Sequence, residues 1–228
     1  MRTISNYGKR TAQSKVKNIK SKYYLFFEGV NTEPQYFEGI REYSQKLELN
    51  TLIEIIPVRR SRTNSGRCNI STIISDIENK KQIKDNEDRL ILTDVDYICI
   101  IFDRDNLPEE QIIRAIKYSK ENKNHLLFFT NPCFEFWLLL HTEDVYKLGI
   151  NEQRNIFNNA TVTQTYKYIG SLLKVKKMIK RKKINFNNYI DFINQAVENE
   201  KPFNKEINLM LKCLGSNIGS LILQLRSK

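Results

Sequence analysis

With 228 residues, of which 40% are hydrophobic, the chain can bury one good core with a small appendage, and its net charge of +11 and pI near 9.4 suit a polyanionic partner. No apolar run reaches the roughly 20 residues of a spanning helix and no charged start leads into an apolar signal core, so a membrane partner is excluded and a soluble, cytoplasmic protein is expected. Cys68, Cys99, Cys133 and Cys213 are far apart and form no Cys-x-x-Cys pair, which speaks against disulfides and structural zinc; with His125 and His141 as the histidines, a metal would be held through oxygen.

Residues 1–22 carry Arg2, Lys9, Arg10, Lys15, Lys17, Lys20 and Lys22 without an acid and read as a flexible basic arm. From Tyr23 the pattern alternates between β and α. Tyr23 to Phe27 forms a strand that ends on Glu28-Gly29. Thr32-Glu33-Pro34-Gln35 has the form of a capping box with proline in the first turn, opening a helix into the mid-forties. A strand at 51–58 runs into a loop bearing Arg59, Arg60, Arg62 and Arg67, and Asn69 or Ser71 caps a helix to about residue 84. Tyr97 to Phe102 leads into Asp103-Arg104-Asp105, and Pro108-Glu109-Glu110 opens the next helix with acids at its positive end. Residues 125–129 form a fourth strand, after which Asn131 as N-cap and Pro132 at the first position start an apolar helix to His141. Beyond about 145 the pattern turns helical and polar, with helices expected over 161–183, over about 187–199 and between Gly215 and Arg226. The chain thus divides into the arm at 1–22, an α/β core at 23–145 and a helical extension at 146–228 packed on that core.

Four strands alternating with helices argue for a mostly parallel four-stranded sheet with right-handed crossovers. Every strand then ends on the same rim, which gathers Glu28, the arginine loop, Asp103, Asp105 and the helix start at Asn131. Asp94 and Asp96 precede their strand and fall on the opposite rim. Carboxylates at strand ends can hold Mg²⁺ or Mn²⁺, with Glu28, Asp103 and Asp105 as ligands and Glu28 alternatively as general base. Glu135 interrupts an otherwise apolar helix, where a carboxylate needs a partner, and is expected as a supporting catalytic acid. Glu33, Asn131 and His141 are expected in supporting positions around the site. Arg59, Arg60, Arg62 and Arg67 suit phosphate oxygens. The run Lys174, Lys176, Lys177, Lys180, Arg181, Lys182 and Lys183 reads as exposed helix surface.

Lys22 to Phe37, Phe102-Asp103-Arg104-Asp105 and the long segment from Asn131-Pro132-Cys133-Phe134-Glu135-Phe136-Trp137 to His141 together resemble the RloB-like family. The basic arm and Ser216-Asn217-Ile218-Gly219-Ser220-Leu221 fit as well, so the resemblance spans nearly the whole chain. It implies a Toprim-like fold, the catalytic core shared by topoisomerases, primases and certain nucleases, with Glu28 as the catalytic glutamate and Asp103 and Asp105 binding Mg²⁺. It also implies an AAA-type ATPase partner in a bacterial anti-phage abortive-infection system, with a toxic nuclease acting on a nucleic acid such as transfer RNA. One departure is the segment after the second strand, which is arginine-rich where the family is often glycine-rich.

The leading expectation is therefore a Mg²⁺-dependent nuclease. A non-catalytic nucleic-acid-binding or regulatory subunit of the ATPase complex is the alternative, and a topoisomerase or primase is disfavoured because no separate domain carries a strand-passing tyrosine. RNA or DNA as substrate, one or two metal ions, and a homo-oligomeric state all stay open at this level.

Overall fold

The computed structural model describes residues 21–50, 53–58, 70–83, 89–105, 107–180 and 183–227. Residues 1–20 of the basic arm, the loop with Arg59, Arg60, Arg62 and Arg67, and Arg181-Lys182 lie outside the described residues. Four parallel strands form the centre: β1 (Ser21–Phe27), β2 (Ile53–Pro57), β3 (Tyr97–Asp103) and β4 (His125–Asn131). A fifth, β7 (Gly215–Ser216), adds antiparallel to β4, giving the order β2-β1-β3-β4-β7 and correcting the expected four strands to five. Two residues are too few to show a period-2 pattern, so this strand is set by its pairing of Ser216 with Thr130 and Gly215 with Asn131.

β1 and β3 are apolar at nearly every position because both faces of the sheet are covered. Tyr24, Phe26, Ile98, Ile100, Phe102 and Phe129 turn to one face, under α2 (Ile70–Gln82) and α3 (Glu109–Glu121). Tyr23, Leu25, Phe27, Cys99, Ile101 and Phe128 turn to the other, where α1 (Thr32–Glu42) and α4 (Phe134–Leu140) are joined by helices of the extension. Those are α5 (Ile150–Asn158), α6 (Tyr168–Val175), α7 (Ile193–Glu200) and α9 (Ile218–Arg226), with the short α8 (Ile207–Met210) near β4. Apart from Glu135, every residue of α4 is buried, the signature of a central helix. The extension therefore completes the core that α4 occupies.

Several local expectations change. Asn131 does not cap α4; it is the last residue of β4, joined to Pro132 by a cis peptide, and its side chain donates to the Met210 carbonyl. Cys133 takes the N-cap position instead. The helix expected over 161–183 is only α6, flanked by a turn at 161–167 and by a hairpin of β5 (Ile179–Lys180) and β6 (Lys183–Ile184). Thr163 Oγ1 accepts from the N–H groups of Thr165 and Tyr166, which offers the backbone a turn in place of a helix. Two 3₁₀ turns, Phe186–Asn188 and Ile190–Phe192, precede α7. No helix among the described residues is long and apolar enough to cross a membrane.

Candidate active site

Parallel strands bring their carboxyl ends to one edge, and the acids collect there. Glu28 follows β1 directly, with its N–H donating to the Ile101 carbonyl at 2.9 Å and its Oε2 accepting from the Asp103 N–H at 3.0 Å. Asp103 closes β3 and accepts a short hydrogen bond from Thr130 Oγ1 of β4. Glu33 stands in the first turn of α1, 5% exposed, and its Oε1 accepts from the Gly29 N–H at 3.1 Å. The expected capping box does not form: Asn31, not Thr32, takes the N-cap position without a side-chain hydrogen bond, and Gln35 Oε1 accepts from the Ile184 N–H at 3.0 Å instead. A Cβ on Gly29 would lie 2.1 Å from Glu33 Oε2, so any larger residue there would push the Glu33 carboxylate out of this position. Glu135 projects from the first turn of α4, half-buried.

A cavity of about 240 Å³ opens beside these groups and is lined by Glu33, Asp103, Asp105 and Glu135. Its far wall comes from the extension, through Asn159, Tyr166, Lys167 and Gly170. Asp105 N–H donates to the Pro132 carbonyl at 2.8 Å, and its carboxylate meets Lys167 Nζ at 2.5 Å. Burial opposes the charge on Lys167, but the hydrogen bond and charge of Asp105, with Cys133 and Glu135 nearby, outweigh it and hold the ammonium above its ordinary value.

The acids are too many for their surroundings. Burial first, then the charges of Glu135 and Glu28, push the Glu33 carboxyl up to about 7. Burial and then the charge of Glu33 raise Asp103 well above the usual carboxylate range, with Thr130 opposing and Glu135 and Glu28 adding to the shift. Burial first, then Glu135, Asp103 and Asp105, also raise the Cys133 thiol, so it behaves as an inert neutral group that accepts from Asn159 Nδ2 at 3.2 Å. A set of oxygen donors short of positive charge fits a hard divalent cation. Among the described residues, no group of three His, Cys, Asp or Glu side chains is arranged to hold a metal ion as it stands.

The expected residues thus separate. Glu28, Glu33, Asp103, Asp105 and Glu135 meet at one edge of the sheet; the four arginines lie outside the described residues. His141 is fully buried in an aromatic cluster, its Nε2 3.1 Å from Tyr36 Oη and its Nδ1 3.1 Å from the Trp137 carbonyl, and burial lowers it to about 3. It is a neutral core residue, and Asn131 likewise serves the β4–α8 junction rather than the cavity. Asp96 sits at the opposite rim, accepting from the Lys22 N–H at 2.8 Å and from the Thr93 N–H and hydroxyl, and so locks the starts of β1 and β3. Sequence reasoning missed Lys167, Tyr166 and Asn159. The one signal available was the β-branched run Thr161-Val162-Thr163, which fits a helix poorly and marks a turn before α6.

A sequence profile of the family described as RloB-like protein matches residues 23–225. Comparison with curated proteins and with solved structures gives no match.

Proposed function

The chain belongs to the RloB-like family, and from that premise and the acid-lined cavity we propose that it is a Toprim-type, metal-dependent nuclease acting as effector of a bacterial anti-phage abortive-infection system. The observation that carries this reading is the meeting of Glu28, Glu33, Asp103 and Glu135 at one sheet edge of a chain with net charge +11. Glu28, Asp103 and Asp105 would hold Mg²⁺ or Mn²⁺ through carboxylate oxygens. When bound, such an ion polarises a phosphodiester and lowers the pKa of a coordinated water.

The remaining roles belong to the chain's own groups. Thr130 fixes the rotamer of Asp103, and the Asp103 N–H fixes that of Glu28. Glu33, poised near neutrality, can take a proton from the attacking water at its carboxylate and release it to solvent. Glu135 keeps the local field negative and so supports the protonated form of Glu33. Arg59, Arg60, Arg62 and Arg67 complete the proposal as a phosphate clamp, and an AAA-type ATPase as the partner that restrains the activity.

The test is a cleavage assay on transfer RNA, single-stranded DNA and duplex DNA with Mg²⁺ or EDTA, for the wild-type chain and for Glu28→Ala and Asp103→Ala. Metal-dependent cutting that both variants lose is the expected result. The regulatory-subunit reading is favoured by one observation, that Asp105 is already paired with Lys167 and Glu28 with the Asp103 backbone. Binding without cutting, unchanged in both variants, would establish it instead.

A further inference from the structure

The wall of the cavity opposite the strand ends is a rigid piece of the extension. Thr161 and Lys167 bridge one another, Tyr168 N–H donates to the Ala160 carbonyl at 2.9 Å, and Thr163 closes the turn between them. Asn159, left-handed at φ 42°, accepts from the Ile169 N–H at 3.0 Å and donates to Cys133 Sγ at 3.2 Å, tying the turn to the start of α4. These bonds fix Lys167 at the N-cap position of α6, with its ammonium at the mouth of the cavity and its side chain 42% exposed. Among the described residues that line the cavity, Lys167 is the cation facing Glu33, Asp103, Asp105 and Glu135.

Beside the cation that the acids would hold, a fixed positive group in the cavity wall can meet the phosphodiester and offset the remaining negative charge. Resting on the nuclease reading, we propose that Lys167 is the phosphate anchor of this site, its ammonium contacting a non-bridging oxygen of the bound strand. Three donors on a flexible four-carbon stem allow Lys167 to keep one bond to Asp105 while offering another to phosphate. The volume favours a polymer over a free nucleotide. At about 240 Å³ the cavity is smaller than the roughly 300–1,000 Å³ of pockets that enclose a whole ligand, and it suits one phosphate of a strand lying across the mouth. Lys174, Lys177, Lys180 and Lys183 are exposed on α6, on the turn after it and on the hairpin that follows, next to the lining residues Gly170 and Ile179, and give such a strand a basic track.

The experiment measures binding of end-labelled transfer RNA and of a labelled DNA duplex in EDTA across a salt series, followed by single-turnover cutting in Mg²⁺. Lys167→Ala is expected to bind about tenfold more weakly with a salt slope reduced by about 1, at an unchanged melting temperature, and Lys167→Arg to recover most of the affinity. Lys117→Ala on α3, at a side chain 75% exposed and remote from the cavity lining, is expected to match the wild type. Wild-type affinity and slope in Lys167→Ala would overturn the proposal and leave Lys167 a closing contact for Asp105. A loss shared equally by Lys167→Arg would also overturn it, because the charge would then be irrelevant. Lys167-dependent binding by a chain that cuts nothing would sink the nuclease reading while the anchor stands, and a chain that binds neither probe would sink both.

Discussion

Asp103 and Glu33 are acids that the fold strains to keep ionised, so their removal is expected to help stability while ending function. Asp103→Asn keeps an acceptor for Thr130 and removes one of the mutually repelling charges. We expect it to melt higher than the wild type at pH 8, to lose cutting by at least about 100-fold, and to lose the rise in melting temperature that Mg²⁺ gives the wild type. Calorimetry with and without Mg²⁺, beside the cleavage assay, checks all three. Glu33→Gln isolates the pH dependence. With the folded carboxyl at about 7 against an ordinary 4.5, the unfolded chain gives up its proton first as pH rises, so the native state loses stability between those values and stays lower above them. Glu33→Gln is therefore expected to raise the melting temperature at pH 8 and barely change it at pH 4.5; an equal shift at both would show that charge is not the cause.

At the scale of elements, the short β7 and the helix after it are held by side chains standing in for a strand. Asn217 Oδ1 accepts from the Phe129 N–H at 2.7 Å and its Nδ2 donates to the Leu127 carbonyl at 3.2 Å, extending the ladder on β4 past the end of β7. Asn217→Ala leaves both backbone groups without these partners and is expected to cost about 1–3 kcal/mol, read by denaturant titration, with faster amide exchange at Phe129. Glu200, at the end of α7, accepts from Ser216 Oγ at 2.6 Å and from the Gly219 N–H at 2.9 Å, bridging α7 to the start of α9. Its Oε2 is buried with no hydrogen-bond partner, and burial pushes this carboxyl up to about 7 despite the opposing bonds. By the same sign as Glu33, Glu200→Gln is expected to stabilise at pH 8, by about 3 kcal/mol at most. Unlike the cavity acids, it should leave the Mg²⁺ effect on the melting temperature intact, which separates a structural acid from a functional one.

For the molecule as a whole, core and extension share one interior. Helices α6 and α7 pack on α4, and Phe186 sits so tightly against α1 that a Cβ on Gly39 would lie 2.1 Å from its ring. A chain ending at residue 145 would uncover Trp137, Leu138 and Leu140, all fully buried in the intact protein. At about 1.5–3 kcal/mol per exposed large side chain, that loss takes most of a stability of about 5–15 kcal/mol. Such a fragment is expected to aggregate or remain unfolded by circular dichroism and gel filtration, and a cooperative melt from it would show the extension to be separable.

Sequence alone was enough for the parallel sheet, because two-sided burial writes itself as apolar runs such as Tyr23 to Phe27 and Tyr97 to Phe102, and strand direction then dictates that Glu28 and Asp103 share an edge while Asp96 does not. The same local logic failed where an interaction spans the chain. His141, expected beside the site from its place at the end of an apolar helix, is instead enclosed by Tyr36, Trp137 and Tyr189, and Asn131 is drawn to the Met210 carbonyl. Asp105 and Lys167 are 62 positions apart, and nothing periodic links them. Their meeting follows from the turn at 161–167 docking on α4, a long-range packing choice that leaves no mark in local residue spacing. The acidic edge was thus legible from the strands, whereas the wall that closes it, with its lysine, was decided by the tertiary fold.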